Sequence, residues 1–413
     1  MLRIRPFKAV RPANDKVHLV ASRSYVTYSD EQLRDKLRHN PYSFVQVIHP
    51  DFDSDDPSEP GTHKRFERVR DRYRSFTADG VFVRDGKPAF YVYRQSSAGV
   101  DSMGIVAAAH ADDYRSGRIK IHEQTLAARE ALFADYLEVT GFNAEPILLT
   151  HDDDDELNGW LTAVSGRTPD VHFTTADEVT HRLWVVDGDE DCHFVEAAYA
   201  RFDALYIADG HHRSASSVLL ADRLAAAGKL TEAAAHFMVY IIPKSRLKIH
   251  GYHRLIRHIG IDVQRLLEGI RAIPGVTVRE VSREAAIPKS RHIDLYLSGL
   301  RYRIDLPENL EDHHPDAEWL TQHILAPLMG IADLRNDQRI AFEPETTGVA
   351  NLCRSVDEGR YEAVFILHPV PFDQLKAVAD RRETMPPKST WIEPKLRSGL
   401  VVYDFTFADT IEQ

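Results

Sequence analysis

The chain is poor in cysteine and has no long apolar run. Its 413 residues include two cysteines, Cys192 and Cys353, too few and too far apart in sequence for a disulfide framework or a zinc site. No segment approaches the ~18 consecutive apolar residues of a membrane span. The N-terminus also lacks an apolar core of signal-peptide length. We therefore expect a cytoplasmic protein without a membrane partner.

A surplus of positive charge is also absent. Lysine and arginine total 51 against 63 aspartate and glutamate, which gives a formal net charge of −12. Because a protein that coats DNA or RNA needs a basic face, this balance argues against a nucleic-acid partner. It does not exclude a small phosphate pocket, which needs only a few local charges. The length suggests two domains or one elaborated domain.

Short apolar runs alternate with amphipathic stretches, which is typical of an α/β (α+β) protein with mixed sheets. The pattern predicts a strand at 44–48, a hairpin through Asp85-Gly86 and a helix over 123–140. Residues 261–310 have a helix-strand-strand pattern of their own, which predicts a small inserted α/β subdomain. The division is then an N-terminal α/β domain at 1–260, this subdomain, and a C-terminal segment at 311–413 that returns to the main domain.

The most informative segment runs Leu205-Tyr-Ile-Ala-Asp-Gly-His-His-Arg-Ser214. It predicts a strand over 205–208 that leads directly into a helix over about 211–227. His211, His212 and Arg213 occupy the first helical turn, where cations oppose the helix dipole unless an anion lies there. The chain has neither a Walker GxxxxGK[ST] loop nor a GxGxxG fingerprint opening a helix, so any phosphate site would be of another kind.

Three features of this turn suit a phosphate. Gly210 lets the backbone turn sharply and approach a ligand closely. The open N–H groups of the helix start are donors, and Arg213 adds a two-pronged guanidinium. Asp209 is then a candidate metal ligand or general base. The alternative is that the histidines pack internally and Arg213 pairs with a surface carboxylate.

Two other segments are basic. Pro243-Lys-Ser-Arg-Leu-Lys-Ile-His-Gly-Tyr-His-Arg254 follows a predicted buried strand, where α/β sheets usually bind ligands; the alternative is a solvated connector. Met385-Pro-Pro-Lys-Ser-Thr-Trp-Ile-Glu-Pro-Lys395 is stiffened by three prolines and suits phosphate or carboxylate oxygens; the alternative is a rigid surface crossing. The candidate ligand-binding residues of the two segments are His253, Arg254, Lys388, Ser389, Thr390 and Lys395.

Two segments combine histidine with acidic residues. His122-Glu123 opens the predicted helix at 123, and Glu123 suits the first turn of a helix for structural reasons alone. His151-Asp-Asp-Asp-Asp-Glu156 follows a predicted strand and could bind a divalent cation, although such charge runs are more often simply solvated.

Together these segments resemble one bacterial family, the domain-of-unknown-function family numbered 1015. The matching segments are Asp209-Gly-His-His-Arg213, His122-Glu123 with Thr125, Gly251-Tyr-His-Arg254, Met385-Pro-Pro-Lys-Ser-Thr390 with Pro394-Lys395, and the early Arg5-Pro-Phe-Lys-Ala9. The resemblance covers nearly the whole chain. That family is related to nucleotide-dependent free serine kinases, whose fold is like that of ParB and sulfiredoxin and binds phosphate at a Gly-x-His-Arg-like turn.

The resemblance implies a ParB/sulfiredoxin-like core and a nucleotide-dependent phosphotransferase. The donor would be ATP or ADP with Mg²⁺, and the acceptor a small hydroxylated metabolite such as free serine. Gly210, His211, His212 and Arg213 would contact the phosphates. Lys388 and Lys395 would add charge, and Asp209, Glu123 or His212 would be catalytic. A homodimer is compatible with this reading.

One departure from the family favours a different function. The family usually has a Pro-Tyr-Asp block near the N-terminus, and the matching stretch is Ser24-Tyr25-Val26. Val26 cannot accept a proton, which favours a non-catalytic nucleotide- or metabolite-binding regulator as the alternative. A DNA-partition role rests on fold analogy alone and conflicts with the net charge. We predict that the basic segments 211–213, 244–254 and 388–395 converge on one pocket.

Overall fold

The computed structural model describes residues 1–23, 28–52, 54–311 and 314–406. The chain forms two compact units. The first contains Met1–Lys120, Thr125–Leu247 and the chain from Pro394 on, and the second contains Ile121–Gln124 and Lys248–Glu393. The predicted division at residues 260 and 310 stays a prediction. The Ser24-Tyr25-Val26 departure lies outside the described residues.

A large mixed sheet forms the centre of the first unit. In spatial order its strands are Ile119–Lys120, Leu205–Asp209, Ile147–His151, His236–Pro243, Val100–His110, Phe90–Ser97, Thr180–Val186 and Val171–Thr174, and Ile4–Arg5 also pairs with Val100–His110. The pairs 119–120 with 205–209 and 147–151 with 236–243 are parallel, and the others are antiparallel. His236–Pro243 is buried at every position, as expected of a central strand.

Helices and two short strand pairs complete the first unit. Its helices are Val17–Val20, Asp30–His39, Val45–Ile48, His63–Ala78, Ala111–Arg115, Ala127–Thr140, Asp155–Ser165, Asp189–Ala200 and His211–Ala226. The short pairs are Val10–Pro12 with Phe82–Arg84, and Phe142–Asn143 with Tyr403–Asp404. Five aromatic side chains and six valines form a core cluster here, in which Tyr73 packs against Phe142 with ring centroids 4.3 Å apart.

The second unit is built on an antiparallel sheet. In spatial order its strands are Thr277–Val281, Leu300–Asp305, His292–Leu297, Ala363–Leu367, Tyr252–Ile256 and Ile340–Pro344. Alternate residues of Ala363–Leu367 face opposite sides: Phe365 and Leu367 join one apolar cluster, and Val364 and Ile366 join the other. Both faces of this sheet are therefore covered.

Short helices cover these two faces. They are Val263–Arg271, Asp316–Leu320, the π-helical turn Thr321–Leu325, Ala326–Met329 and Val349–Asp357. The unit also contains the helix Phe372–Asp380, and Lys248–His250 pairs separately with Trp391–Glu393. The segment 261–310 supplies one helix and three strands that pair with one another, and His292–Leu297 also pairs with Ala363–Leu367 outside the segment. Among the described residues, no helix is both long and apolar enough to cross a membrane.

Two elements were predicted wrongly in the N-terminal region. Residues 44–48 contain the one-turn helix Val45–Ile48 instead of a strand. A run this short does not distinguish the two by its pattern, because Val45 and Val47 are buried in either case. The predicted hairpin is also absent: Phe82–Arg84 pairs with Val10–Pro12, and Asp85 binds the Arg11 guanidinium through both carboxylate oxygens at 2.7 and 2.8 Å.

The predicted helix at 123–140 begins four residues later than expected, at Ala127. It ends at Gly141 as predicted, with that glycine in the left-handed conformation. His122 and Glu123 therefore precede the helix, and Glu123 does not lie in its first turn. The helix-dipole explanation for Glu123 is accordingly wrong.

Candidate functional site

The strand-turn-helix at Asp209 has the predicted form. Leu205–Asp209 leads through Gly210 into His211–Ala226, and Gly210 has φ 101°. A Cβ at Gly210 would lie 2.9 Å from Nη2 of Arg213, whose guanidinium folds back over the turn. Ser214 N–H donates the first helical hydrogen bond, to Gly210 O at 3.0 Å, so the three preceding N–H groups lie at the open end of the helix.

Two carboxylates and two cations form a chain of ion pairs at this turn. Asp209 contacts Lys395 through Oδ1 (Nζ at 3.3 Å) and Arg213 through Oδ2 (Nη2 at 3.1 Å). Nη1 of the same guanidinium lies 3.2 Å from Oε2 of Glu145. Arg213 thus pairs with carboxylates, as the structural alternative predicted. Its side chain and that of Lys395 remain 35 % and 39 % exposed, so both are accessible to a ligand.

The charges around Asp209 keep it ionised. Burial alone would raise its pKa, but the positive charges of Lys395 and Arg213 outweigh burial and lower the pKa to about 2. A carboxylate with so low a pKa is a weak proton acceptor at neutral pH. The pKa therefore favours Asp209 as a ligand for cations over Asp209 as the general base.

Glu145 is a member of this group that the sequence did not single out. Its other oxygen, Oε1, accepts a hydrogen bond from Ser398 Oγ. Asp209 pairs with Leu148 in the antiparallel register of the two strands, which brings Glu145 to the turn. Only the pairing of strands distant in sequence could have revealed this. The available local signal was an acidic residue just before a predicted strand.

The two histidines of the turn differ in burial. His211 is 4 % exposed, whereas His212 is half-buried. The helix behind them is held by serine hydroxyls, because Ser214 Oγ donates to His211 O at 2.9 Å and Ser216 Oγ to His212 O at 2.6 Å. Burial agrees with the internal-packing alternative for His211. Phosphate contacts by either histidine stay a prediction.

In the second unit, Arg254 is buried without a charged acceptor in its hydrogen bonds. Its Nη1 donates to two carbonyl oxygens, Tyr252 O at 2.7 Å and Lys388 O at 2.9 Å. Among the described residues, Nε and Nη2 have no hydrogen-bond partner. The guanidinium lies 4.9 Å from the ring centroid of Phe342, and burial lowers its pKa to about 10. Its unused donors suit an anion.

The Lys-Ser-Thr segment is held in a strained turn beside Arg254. Lys388 has φ 59°, a left-handed conformation that is uncommon for a side-chain-bearing residue, and its carbonyl accepts the Arg254 bond. Ser389 Oγ donates to Pro386 O at 2.7 Å. Lys388 is exposed, Ser389 is buried and Thr390 is half-buried. The rigidity expected from the prolines stays a prediction.

His253 and His122 are also buried in the second unit. His253 Nδ1 accepts from Leu367 N–H at 3.2 Å, so the proton of the neutral ring is on Nε2. Burial, with Arg254 and Arg301 nearby, lowers the pKa of His253 to about 4. His122 O accepts from Met385 N–H at 2.8 Å, which joins 121–124 to the segment before Lys388.

The predicted site residues are thus divided between the units. Asp209, Gly210, His211, His212, Arg213 and Lys395 belong to the first unit, whereas Glu123, His253, Arg254, Lys388, Ser389 and Thr390 belong to the second. Convergence of the three basic segments stays a prediction.

No group of three or more candidate metal-ligating side chains occurs within the described residues. The acidic run after His151 has structural contacts. Asp154 Oδ1 accepts from Leu157 N–H at 2.8 Å and caps the helix Asp155–Ser165, and Asp152 lies 2.9 Å from Lys244 Nζ. These contacts favour the structural interpretation of the run. A metal site at Asp209 would need oxygens from a ligand.

Residues 4–328 match the family described as Protein of unknown function (DUF1015). The chain belongs to this family. The family assignment made from the five matching segments is therefore confirmed, over a range that includes Asp209-Gly-His-His-Arg213 and ends before the Lys-Ser-Thr motif. No curated protein matches the chain.

Several solved structures resemble this DUF1015 member weakly. A free serine kinase in complex with AMP has 15 % identity and a TM-score of 0.36, covering 70 % of this chain and 88 % of that one. SbnI with a C-terminal truncation from Staphylococcus aureus has 14 % identity and a TM-score of 0.36, covering 70 % and 82 %. A conserved hypothetical protein from Pyrococcus furiosus has 15 % identity and a TM-score of 0.36, covering 70 % and 91 %. Similarity at this level establishes no shared site or activity.

Proposed function

We propose that this protein is a nucleotide-dependent phosphotransferase that acts on a small hydroxylated metabolite, such as free serine or a related amino acid. One observation carries the proposal: Asp209 is ionised between two partly exposed cations, Arg213 and Lys395, at the open end of a 16-residue helix. Backbone N–H groups at a helix start and partly exposed cations are groups that bind phosphate.

Phosphate binding would exchange one set of ion pairs for another. Ion pairs as exposed as these contribute about 1 kcal/mol or less, so Arg213 and Lys395 can turn from the carboxylates to a phosphate at little cost. The exchange would release oxygens of Asp209 and Glu145. Mg²⁺ commonly binds one or two carboxylates together with substrate phosphates, so these two residues fit that ion. When bound, Mg²⁺ would neutralise phosphate charge.

The reaction proposed is phosphoryl transfer from ATP or ADP. The acceptor hydroxyl oxygen forms a bond to the terminal phosphorus, the bond from phosphorus to the leaving nucleotide breaks, and the hydroxyl proton passes to a base. The low pKa of Asp209 makes it a poor base, so His212 or Glu123 is proposed for that role. A ParB/sulfiredoxin-like core and nucleotide contacts by His253, Arg254, Lys388, Ser389 and Thr390 also belong to this proposal.

The test follows phosphorus products by ³¹P NMR, with ATP or ADP, Mg²⁺ and a panel of hydroxylated acceptors including serine. We expect a phosphomonoester that forms only with an acceptor present. Arg213→Met should reduce the rate by on the order of 10²–10³-fold, because it removes charge stabilisation of the transferred group. Arg223→Met is the matched control: it lies on the same helix, pairs with Asp135, and should retain the rate.

The same experiment separates the proposal from its alternative. A regulator would show a nucleotide-induced rise in melting temperature that Arg213→Met abolishes, with no phosphomonoester for any acceptor. Equal loss of activity in the Arg213 and Arg223 variants would argue that the helix charge is structural, and the phosphate site would then be wrong.

A further inference from the structure

The second unit contains a pocket that shares one residue, Ser389, with the proposed function. It is a small pocket, partly open to solvent, and its polar lining comes from Ser290, Asp316, His368, Gln374 and Ser389. Within the described part of the chain, Asp316 is the one carboxylate that lines it, and neither lysine nor arginine does. Asp316 therefore supplies the negative charge of the lining, and the Arg291 guanidinium that balances it in part lies outside the lining.

Within the described part of the chain, Asp316 has one carboxylate oxygen without a hydrogen bond. The residue is 7 % exposed, and its Oδ2 accepts from Arg291 N–H at 3.0 Å. Among the described residues, the buried Oδ1 has no hydrogen-bond partner. Arg291 Nη1 forms an ion pair with Oδ1 at 3.8 Å, beyond hydrogen-bond distance, and donates its hydrogen bond to His314 O at 3.0 Å. A buried carboxylate oxygen in this state lacks a donor.

Two other polar side chains of the pocket also present acceptors. His368 Nδ1 lies 3.1 Å from Pro288 O. A carbonyl can only accept, so the proton of the neutral ring is on Nδ1 and Nε2 has a lone pair. Ser389 uses its hydroxyl proton on Pro386 O, which leaves its oxygen lone pairs as acceptors. A ligand here should be positively charged and rich in N–H donors.

We propose that this pocket binds a primary ammonium group, such as that of a small amine or an amino acid. The ammonium would donate to Asp316 Oδ1 as its charged partner, and Ser389 and His368 would offer further acceptors. An ammonium provides three donors on a compact cation, which matches this lining. The proposal does not depend on the phosphotransferase function, and it assigns Ser389 to cation rather than phosphate binding.

The test titrates the full-length chain with methylammonium chloride and follows binding by calorimetry. Tetramethylammonium serves as a probe of equal charge that lacks N–H donors. We expect saturable binding of methylammonium and none of tetramethylammonium. Asp316→Asn should weaken the affinity at least roughly tenfold, because it replaces the charged acceptor by a neutral amide while Oδ1 of the asparagine can still accept from Arg291 N–H.

A second variant keeps the test decisive if Asp316→Asn fails to fold. Ser290→Lys leaves Asp316 in place and supplies a tethered ammonium, so methylammonium binding should disappear while the fold is retained. Glu308→Gln removes an exposed carboxylate outside the pocket and should bind as the wild type does. Equal binding of tetramethylammonium, or unchanged affinity in both pocket variants, would overturn the proposal.

Discussion

At the scale of single residues, the candidate phosphate site is already neutralised by the protein itself. Arg213 bridges Asp209 and Glu145, and Lys395 holds the other oxygen of Asp209. The protein without ligand thus keeps four charged groups together at a helix end without an excess of either sign. A phosphate must compete with two carboxylates for the same cations, which favours highly charged ligands such as nucleoside di- and triphosphates over a single weak anion.

The low pKa of Asp209 has a consequence for stability. Because its pKa in the folded chain is about 2, below the unfolded value of about 3.9, the carboxylate contributes stability above pH ~4 that is lost as pH falls towards 2. Asp209→Asn should therefore lower the free energy of unfolding at pH 7 by about 1 kcal/mol, since solvent screens these half-exposed pairs. Urea unfolding at several pH values measures this difference, which should vanish near pH 2.

A matched control for this prediction is Asp203→Asn. Asp203 is exposed and precedes the same strand, so its replacement should leave the pH dependence unchanged. If the Asp209 variant kept its deficit at the acid end, the ion pairs with Lys395 and Arg213 would not explain the stability.

The sequence could predict the basic half of this site but not the acidic half. Gly210 and Arg213 lie within one short segment, and that segment places cations in the first helical turn, where they oppose the helix dipole. Glu145 becomes a partner only through the antiparallel register of Leu148 with Asp209. Likewise, nothing local indicates that Arg254 holds the carbonyl of Lys388, 134 positions away in the chain. Contacts of this kind depend on the tertiary fold.

At the scale of elements, the turn between Leu205–Asp209 and His211–Ala226 requires glycine. Gly210→Ala should destabilise the protein by about 1–3 kcal/mol, because alanine disfavours φ 101° and its Cβ would displace the Arg213 guanidinium. Thermal and urea unfolding measure the loss. Gly159→Ala is a control for which the free energy of unfolding should change in the opposite direction. Gly159 lies within the helix Asp155–Ser165 with open space around it, so alanine should stabilise the protein by about 0.5–1 kcal/mol.

This pair of variants separates backbone strain from helix propensity. If Gly210→Ala were neutral, the turn would tolerate a side chain and the close approach of Arg213 would have no structural role. Activity measured on the same variant adds a second readout, since displacement of Arg213 should reduce phosphate binding even in molecules that remain folded.

The elements that could be predicted share a strong local signal. The strand and helix around Gly210 lie within one residue of their predicted bounds, because an apolar run, a glycine and a long amphipathic stretch follow one another. The wrong predictions concern segments whose pattern is too short to identify an element, or whose turn-forming residue makes another contact. Residues 45–48 form a single helical turn. Aspartate is common in turns, but the Asp85 carboxylate binds the Arg11 guanidinium.

At the scale of the whole molecule, several histidines are buried in uncharged form. In the first unit, His181 is fully buried between Tyr93, whose hydroxyl lies 2.6 Å from Nδ1, and Arg397, whose Nε lies 3.3 Å from Nε2. Burial, and then the charge of Arg397, lower the pKa of His181 to about 3. His236 Nδ1 lies 2.8 Å from Glu232 O, and burial lowers its pKa to about 4.

These histidines should make the protein sensitive to mild acid. The unfolded chain binds protons at histidine below pH ~6.5, whereas the folded chain leaves His181 and His236 neutral until about pH 4, so the free energy of unfolding falls as pH decreases. Between pH 6.5 and 4.5 each should remove roughly 2–3 kcal/mol. The double variant His181→Gln with His236→Gln should have a flatter stability curve over this window, measured by urea unfolding. His39→Gln, at an exposed position, should leave the slope as it is. This window lies above the pKa values of most carboxylates, so a slope that survives in the double variant would have to come from other buried histidines and not from the Asp209 ion pairs.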